Sequence, residues 1–184
     1  MSQYMNFIGQ NAKKAIIKKI NTKIKNKVLK KYAQLLDTEK NSILKANTQD
    51  VKNAIKKKLK DNLIDRLTID QKKLNNIKKS INKIVTLKDP VDNVLQKWSR
   101  PNGLKINKVS IPIGVIGVIY ESRPNVTSDV ASLCFKSGNA VILKGGSEAL
   151  NTNKILAKLF REALKQNKVN KNFIQFIDSK DRKM

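Results

Sequence analysis

The segment VILKGGSEA combines residue types that could bind a nucleotide. Its apolar residues predict a strand ending at Lys144, and Gly145 and Gly146 follow, where the backbone can approach a ligand closely. A helix that begins at Ser147 or Glu148 would present free N–H groups and a partial positive charge to an anion. The alternative is a plain turn in which Ser147 caps the helix and Lys144 is solvated, because no GxGxxG fingerprint is present.

A second candidate is the loop YESRPNV, which contains Arg123 and Asn125. It follows an apolar run and precedes a predicted helix, where open α/β sheets carry their ligand-facing loops. Arg123 could bind a carboxylate or a phosphate of a substrate, although a structural ion pair is the expectation we favour. Asn125 could equally cap the helix that follows.

Cys134 is the single cysteine of the chain, and it lies in SLCFKSG on a predicted helix. Its apolar neighbours predict a small buried residue rather than a nucleophile. The chain contains no histidine, which excludes Cys/His or Ser/His catalysis and histidine metal sites. We therefore predict no metal site.

The net charge of +25 raises the question of nucleic-acid binding. Only five of the 39 basic residues are arginine, the residue that base and phosphate recognition favours. Aromatic residues, which nucleic-acid-binding proteins use to stack on bases, make up only 5% of the chain. The lysines are also spread over both halves of the sequence. We therefore expect no nucleic-acid partner. The longest apolar run, around Ile111 to Tyr120, is too short to span a bilayer, so we expect no membrane partner. A single cysteine allows no intrachain disulfide, which favours a cytoplasmic location.

Residues 1–88 show a helical period with almost no glycine. Apolar residues between positions 7 and 29 form one stripe, which predicts a single amphipathic helix. Further helices are predicted to start near Thr38 and Thr48, and residues 59–67 look like a looser, turned stretch.

A better marked helix is predicted to follow Thr68, because Thr68 and Gln71 have the spacing of a capping box. The sequence Asp89-Pro90 should end it. The helical period of the apolar residues ends near Trp98. The segments that follow predict a turn, a pair of short strands, and then alternating strands and helices. These segments are the turn 100–103, the irregular strand pair 104–111, the buried strand 113–120, the helix 126–136 with Gly138, the strand 140–144, the helix 148–165 and the strand 173–177.

The stretch Ile111–Leu150 closely resembles the gamma-glutamyl phosphate reductases of the aldehyde dehydrogenase superfamily. The resemblance extends upstream through LIDRL and DPVDNVLQKWSRPNGL, and downstream to QFIDSKDR. It implies an α/β fold with a helical N-terminal layer, residues 1–100, packed on the first half of a Rossmann-type cofactor-binding domain, residues 101–184. The catalytic domain should be absent, so the chain should be a truncated N-terminal part.

The resemblance also implies roles for individual residues. Lys144, Ser147 and Glu148 should line the adenosine ribose of the cofactor with Gly145 and Gly146 between them, and Lys144 should favour NADP. Asn125 should stabilise the oxyanion formed on the substrate carbonyl, although its loop has proline and asparagine in the reverse of the commoner superfamily order.

The implied reaction is the reduction of L-glutamyl 5-phosphate to L-glutamate 5-semialdehyde with NADPH, for proline biosynthesis. Its cysteine nucleophile should lie downstream of this sequence, so we expect the chain alone to be inactive. A homo-oligomer with contacts near residues 104–111, or a separate C-terminal piece, would be its protein partner. The alternatives are a non-enzymatic basic, nucleic-acid-binding protein and a decayed gene product, while ESRPNV and KGGSE disfavour an ordinary aldehyde dehydrogenase.

Overall fold

Five helices form the first half of the molecule in the computed structural model, which describes residues 3–179. They are α1 Gln3–Ile16, α2 Thr22–Thr38, α3 Lys40–Lys56, α4 Asp61–Leu67 and α5 Gln71–Thr86. The prediction of a mostly helical N-terminal part is confirmed for the described residues. The last residues of the QFIDSKDR stretch, Lys180 to Arg182, lie outside them.

The single helix predicted over positions 7–29 is wrong, because the chain turns between α1 and α2. Asn21 is the N-cap of α2, and its side-chain oxygen accepts a hydrogen bond from the Ile24 N–H at 2.9 Å. An asparagine that bonds the backbone in this way ends one helix and starts another. The apolar spacing continued across the break because both helices bury one face against the same core.

Two predicted helix starts are also wrong. No helix begins at Thr48, which lies inside α3 and donates its hydroxyl to the Leu44 carbonyl at 2.9 Å. The N-cap of α5 is Asp70 rather than Thr68, and Asp70 accepts a hydrogen bond from the Lys73 N–H. The carboxylate is the stronger acceptor and lies next to the helix start.

The segment 59–67, expected to be a looser turned stretch, contains the short helix α4. Thr68 follows this helix and donates its hydroxyl back to the Ile64 carbonyl at 2.7 Å. Thr68 thereby closes α4 instead of opening α5.

A two-stranded hairpin follows the helices, with β1 Val94–Ser99 antiparallel to β2 Lys105–Val109. The predicted turn joins them: the Gly103 N–H donates to the Arg100 carbonyl at 2.9 Å, and Gly103 has a φ of +84°. Strand β1 was not predicted, because its mixed polar sequence lacks an apolar face and all six of its residues are exposed. One strand, β2, replaces the irregular pair predicted over 104–111.

Three parallel strands form the second sheet in the order β3 Val115–Ile119, β4 Ala140–Lys144 and β5 Ile174–Phe176. The prediction that these segments are parallel neighbours is confirmed. Helices α6 Pro124–Lys136 and α7 Leu150–Gln166 connect the strands, as βαβ units require. Gly138 closes α6 with a φ of +76°, as predicted.

The helical layer and the sheet share one hydrophobic core. At its centre the ring of Tyr32 in α2 packs on Phe160 in α7 at 4.4 Å, and Phe160 contacts Phe135 edge to face at 5.9 Å. Strand β3 is less buried than predicted, because among the described strands it pairs with β4 on one side alone, and Ile119 is 86% exposed. The division near residue 100 stays a prediction, since the two parts are packed together.

Candidate functional site

A cleft of about 980 Å³ lies where β3 and β4 end. We call it the strand-end cleft. Val118, Ile142 and Ile177 contribute apolar walls, and α4 covers one side with Leu63 and Arg66. The carboxyl ends of parallel strands are where open α/β sheets bind ligands.

All five residues predicted to bind the cofactor line the strand-end cleft: Lys144, Gly145, Gly146, Ser147 and Glu148. Asn125 does not. It lines a second cleft of about 520 Å³, between the start of α6 and helices α4 and α5, which we call the polar cleft. Arg66 and Arg123 line both clefts, so the two adjoin.

The two glycines are required by the packing of the protein itself. A Cβ atom on Gly145 would lie 2.3 Å from the Asn153 amide nitrogen and 3.1 Å from the Tyr120 ring. A Cβ on Gly146 would lie 2.5 Å from the Ser122 hydroxyl. Close contact with neighbouring elements, rather than close approach of a ligand, is the constraint that the structure shows at these positions.

Glu148 forms a hydrogen-bonded group with two serines. Its carboxylate accepts from the Ser122 hydroxyl at 2.7 Å and from the Ser147 hydroxyl at 2.8 Å. Burial opposes ionisation of this carboxyl, but the hydrogen bonds from Ser122 and Ser147 favour it more, and the pKa of Glu148 falls below its ordinary value. The suggestion that Ser147 caps a helix is wrong, since its hydroxyl donates to Glu148 and the N-caps of the 3-10 turn and of α7 are Gly146 and Ala149.

The helix expected at Ser147 or Glu148 starts slightly later. A short 3-10 turn covers Ser147–Ala149, and α7 begins at Leu150. The buried Asp50 carboxylate accepts hydrogen bonds from the Thr152 N–H at 2.8 Å and the Asn151 N–H at 3.3 Å. The expected anion position at this helix start is therefore occupied by a carboxylate of the protein.

Asp50 also accepts from both side chains of this pair, the Thr152 hydroxyl at 2.6 Å and the Asn151 amide at 2.8 Å. Four donors satisfy one carboxylate, which fixes α3 against the start of α7.

Lys144 is half-buried and donates a hydrogen bond to the Ser179 carbonyl at 2.6 Å. The alternative of a merely solvated lysine at a strand end is therefore wrong. The ammonium group joins the end of β4 to the segment that follows β5, at the rim of the strand-end cleft.

Asn125 lies in the first turn of α6, where its amide donates to the Asp129 carboxylate at 3.3 Å. The N-cap is Arg123, so the interpretation of Asn125 as the cap is wrong. Arg123 is exposed and makes no ion pair with any residue of the described range 3–179. The structural ion pair that we favoured for Arg123 is not formed with any of these residues.

Sequence reasoning missed a chain of buried polar contacts behind the strand-end cleft. The Tyr120 hydroxyl contacts the Thr127 hydroxyl at 2.6 Å, and Thr127 donates to the Asn153 side chain at 2.9 Å. Burial raises the pKa of Tyr120 to about 12. The chain ties the YESRPNV loop to both α6 and α7, and a tyrosine at the end of an apolar strand was the signal available.

Cys134 is buried, as predicted, and burial raises the pKa of its thiol. It lines neither of the two clefts. A thiol that is buried and protonated suits the packing role assigned from its neighbours.

Comparison with known proteins gave consistent matches in sequence and in fold. Gamma-glutamyl phosphate reductase from Thermodesulfovibrio yellowstonii is 46% identical over 90% of this chain and 40% of its own length. The Clostridium botulinum reductase is 43% identical over 96% of this chain and 43% of its own length. No protein-family model matches the chain.

Solved structures of the same enzyme superpose closely. The reductase from Thermotoga maritima gives a TM-score of 0.94 at 40% identity, over 97% of this chain and 44% of that one. The Saccharomyces cerevisiae reductase gives 0.91 at 34% identity, over 98% of this chain and 47% of that one. A probable aldehyde dehydrogenase from Listeria monocytogenes, at 13% identity and a TM-score of 0.66, shares the fold.

The chain spans about two fifths of the length of the curated relatives that it matches. Over nearly its whole length, in sequence and in fold, the chain is similar to an N-terminal portion of gamma-glutamyl phosphate reductase.

Proposed function

We propose that the chain supplies the nicotinamide-nucleotide-binding part of a gamma-glutamyl phosphate reductase. That enzyme would reduce L-glutamyl 5-phosphate to L-glutamate 5-semialdehyde with NADPH, in proline biosynthesis and in the cytoplasm. The observation that carries the proposal is the 46% identity to a reductase over 90% of the chain. The strand-end cleft supports it, because its position and its volume of about 980 Å³ suit a dinucleotide.

The residues of the cleft fit such a cofactor, which would supply a hydride when bound. Val118 and Ile142 offer apolar surface to a base, and the rim offers an ammonium, two serine hydroxyls and a carboxylate. The pyrophosphate would not lie at the start of α7, since Asp50 already fills that position. We propose that Lys144 and the 3-10 turn Ser147–Ala149 hold the adenosine end.

The rim carries two opposite signals for cofactor choice. Lys144 is a cation suited to the 2'-phosphate of NADP, whereas a carboxylate such as Glu148 suits the free ribose hydroxyl of NAD. Glu148 already accepts hydrogen bonds from Ser122 and Ser147, which spreads its negative charge. We therefore propose that Lys144 determines the choice of cofactor and that the cleft prefers NADPH to NADH.

Asn125 would serve in the polar cleft as the donor to the substrate oxyanion. Its amide makes one long hydrogen bond, 3.3 Å to Asp129, so little holds it against turning toward a carbonyl oxygen. Because Arg66 and Arg123 line both clefts, a carbonyl in the polar cleft would lie close to a cofactor in the strand-end cleft.

The test is Lys144→Ala in this 184-residue chain, with NADPH and NADH titrated separately at fixed ionic strength. We expect NADPH to bind about ten- to a hundredfold more weakly, because one charge-assisted contact is lost, and NADH to change much less. Lys158→Ala, an exposed position on α7 outside the cleft, is the matched control. Equal weakening for both cofactors, or none for NADPH, would show that cofactor choice is set elsewhere.

Glu148→Gln sharpens the same test from the opposite side. Removing this negative charge should strengthen NADPH binding relative to NADH, because the carboxylate repels the 2'-phosphate. If the variant weakens both cofactors alike, Glu148 contacts a group that they share.

A basic nucleic-acid-binding protein is the competing function, motivated by the charge of +25. Counterion release makes nucleic-acid affinity fall steeply as salt rises, whereas specific binding of NADPH should be much less sensitive. Titrating the chain with duplex DNA and with NADPH across the same salt series separates the two functions.

We also propose a homo-oligomer that uses the hairpin. Leu95 is 58% exposed, Leu104 56% and Trp98 42%, so β1 and β2 present apolar surface that a subunit contact would cover. Sedimentation velocity should show dissociation of the oligomer in Trp98→Ser. A monomeric wild-type chain would contradict this proposal.

A further inference from the structure

The polar cleft carries five charged side chains, and three of them, Asp65, Arg66 and Lys73, are in ion pairs. Lys73 pairs with Asp65 at 3.1 Å, and Arg66 lies 4.0 Å from Glu121. The two that remain without an ion pair are Arg123 and Asp129. Both line the cleft, yet no ion pair joins them within the part of the chain that the structure describes.

Asp129 is the unusual member of this set. Its Oδ2 accepts one long hydrogen bond from Asn125, whereas its Oδ1 is buried and has no hydrogen-bond partner in residues 3–179. Leaving a buried carboxylate oxygen unsatisfied is unfavourable, and most buried polar atoms are paired. Asp50 contrasts with it, because its carboxylate is fully buried and accepts hydrogen bonds from four donors, whereas Asp129 is partly exposed and accepts one.

We propose that Arg123 and Asp129 form the recognition site for the amino-acid end of the substrate. Asp129 would accept hydrogen bonds from the α-ammonium group, and Arg123 would donate a bidentate pair to the α-carboxylate. This inference rests on the proposed function, because gamma-glutamyl phosphate is the ligand that carries both groups.

The geometry of the cleft suits that assignment. A zwitterion has its two charges on adjacent carbons, so it needs a cation and an anion that face one ligand without neutralising each other. Arg123 is exposed at the start of α6, and Asp129 lies on the same helix within the cleft wall. Asn125, proposed as the oxyanion donor, is between them in sequence and lines the same cleft.

The substrate itself contains a reactive acyl phosphate, so the experiment uses stable probes with the 184-residue chain. The full probe is L-2-amino-5-phosphonopentanoate, which has the ammonium, the carboxylate and a phosphonate. One companion, 5-phosphonopentanoate, lacks the ammonium, and another, 4-aminobutylphosphonate, lacks the carboxylate. Dissociation constants are measured by calorimetry, with NADPH titrated in parallel.

We expect Asp129→Asn to weaken the full probe about tenfold and to leave 5-phosphonopentanoate unchanged, because the latter has no group for Asp129. Arg123→Gln should weaken the full probe by a similar factor and leave 4-aminobutylphosphonate unchanged. Glu162→Gln and Arg100→Gln, both outside the polar cleft, are the matched controls. NADPH affinity should not change in any of the four variants.

A purely structural role for Asp129 predicts a different pattern. Asp129→Asn should leave the midpoint of thermal unfolding unchanged or raise it, because the substitution removes an unsatisfied buried charge. A lower midpoint, equal effects on the full and the des-amino probe, or no binding of the full probe to the wild type would each overturn the inference. Failure of NADPH binding in the wild type would instead overturn the proposed function, so the two failures are distinguishable.

Discussion

Two helix starts follow the ends of the neighbouring parallel strands β3 and β4, and they differ in how their polar groups are satisfied. The β4–α7 turn, residues 145–149, leads into a helix whose first N–H groups are bound by Asp50. The β3–α6 loop, residues 120–123, leads into a helix whose N-cap, Arg123, makes no side-chain cap hydrogen bond. The protein itself therefore binds the N–H groups at the start of α7, whereas the start of α6 lines the polar cleft.

The difference shows that a helix start beside a cleft is not by itself a ligand site. Glycines, a serine and a helix start suggested an anion site in the β4–α7 turn, but the buried carboxylate of α3 occupies it. On α6 the buried Asp129 Oδ1 has no partner in the described residues, and at the start of α7 the Asn153 amide nitrogen has none either. What packs against each helix start therefore decides whether its backbone N–H groups are satisfied by the protein.

The largest expected loss of stability comes from removing the carboxylate that binds the start of α7. Asp50→Ala should lower the free energy of unfolding by about 3 kcal/mol or more, because it leaves several buried donors at the start of α7 unsatisfied. For a chain of this size that corresponds to a fall of roughly 6–12 °C in the unfolding midpoint. Thermal unfolding followed by circular dichroism measures it, and a loss under about 1 kcal/mol would show that water replaces Asp50 easily.

Gly145→Ala is expected to cause the next largest loss of stability. The added Cβ would lie 2.3 Å from the Asn153 amide nitrogen, and overpacking of this kind costs about 1–3 kcal/mol. Gly9→Ala is the matched control, since a Cβ there meets nothing within 4 Å and Gly9 lies inside α1. That control should raise stability slightly. Equal changes in the free energy of unfolding for the two substitutions would mean that the β4–α7 turn shifts to accommodate the added Cβ at little cost.

Ser122→Ala tests the contact that joins the two turns. Loss of the hydrogen bond to Glu148 should cost about 1 kcal/mol near neutral pH, at a partly exposed site. Because the pKa of Glu148 is lowered in the folded state, its stabilisation is present above the ordinary value and is lost as pH falls through the lowered value. The difference in free energy of unfolding between Ser122→Ala and the wild type should therefore be smaller in acid than at pH 7. Urea unfolding at pH 7 and in acid measures this, and a difference that does not depend on pH would contradict it.

Asn125→Ala, in the open loop, should have the smallest effect on folding. Its side chain is exposed and makes one hydrogen bond of 3.3 Å, so the free energy of unfolding should change by less than about 0.5 kcal/mol. Urea unfolding measures the change. A loss above about 1 kcal/mol would show that Asn125 supports the helix start instead of being available to a ligand.

The order of parallel strands and crossover helices could be predicted because it depends on local patterns. The runs 140–144 and 174–176 are short and apolar, and each is bounded by a helix or a turn with its own signal, such as Gly138. Helix boundaries in the N-terminal part were less predictable. Asn21 and Asp70 decided them through single hydrogen bonds that compete with equally plausible caps nearby.

That residues 144–148 share one cleft could be predicted because they are consecutive, so a strand followed by a turn must bring them to one edge of the sheet. The sequence by itself also determined the similarity to the reductases, since that similarity is carried by the order of the residues. The tertiary structure alone decided that Asp50, 102 residues before Thr152, binds the start of α7, and that Asn125 lines the polar cleft and not the strand-end cleft. These are contacts between distant segments, and their energies depend on packing and burial that no local spacing contains.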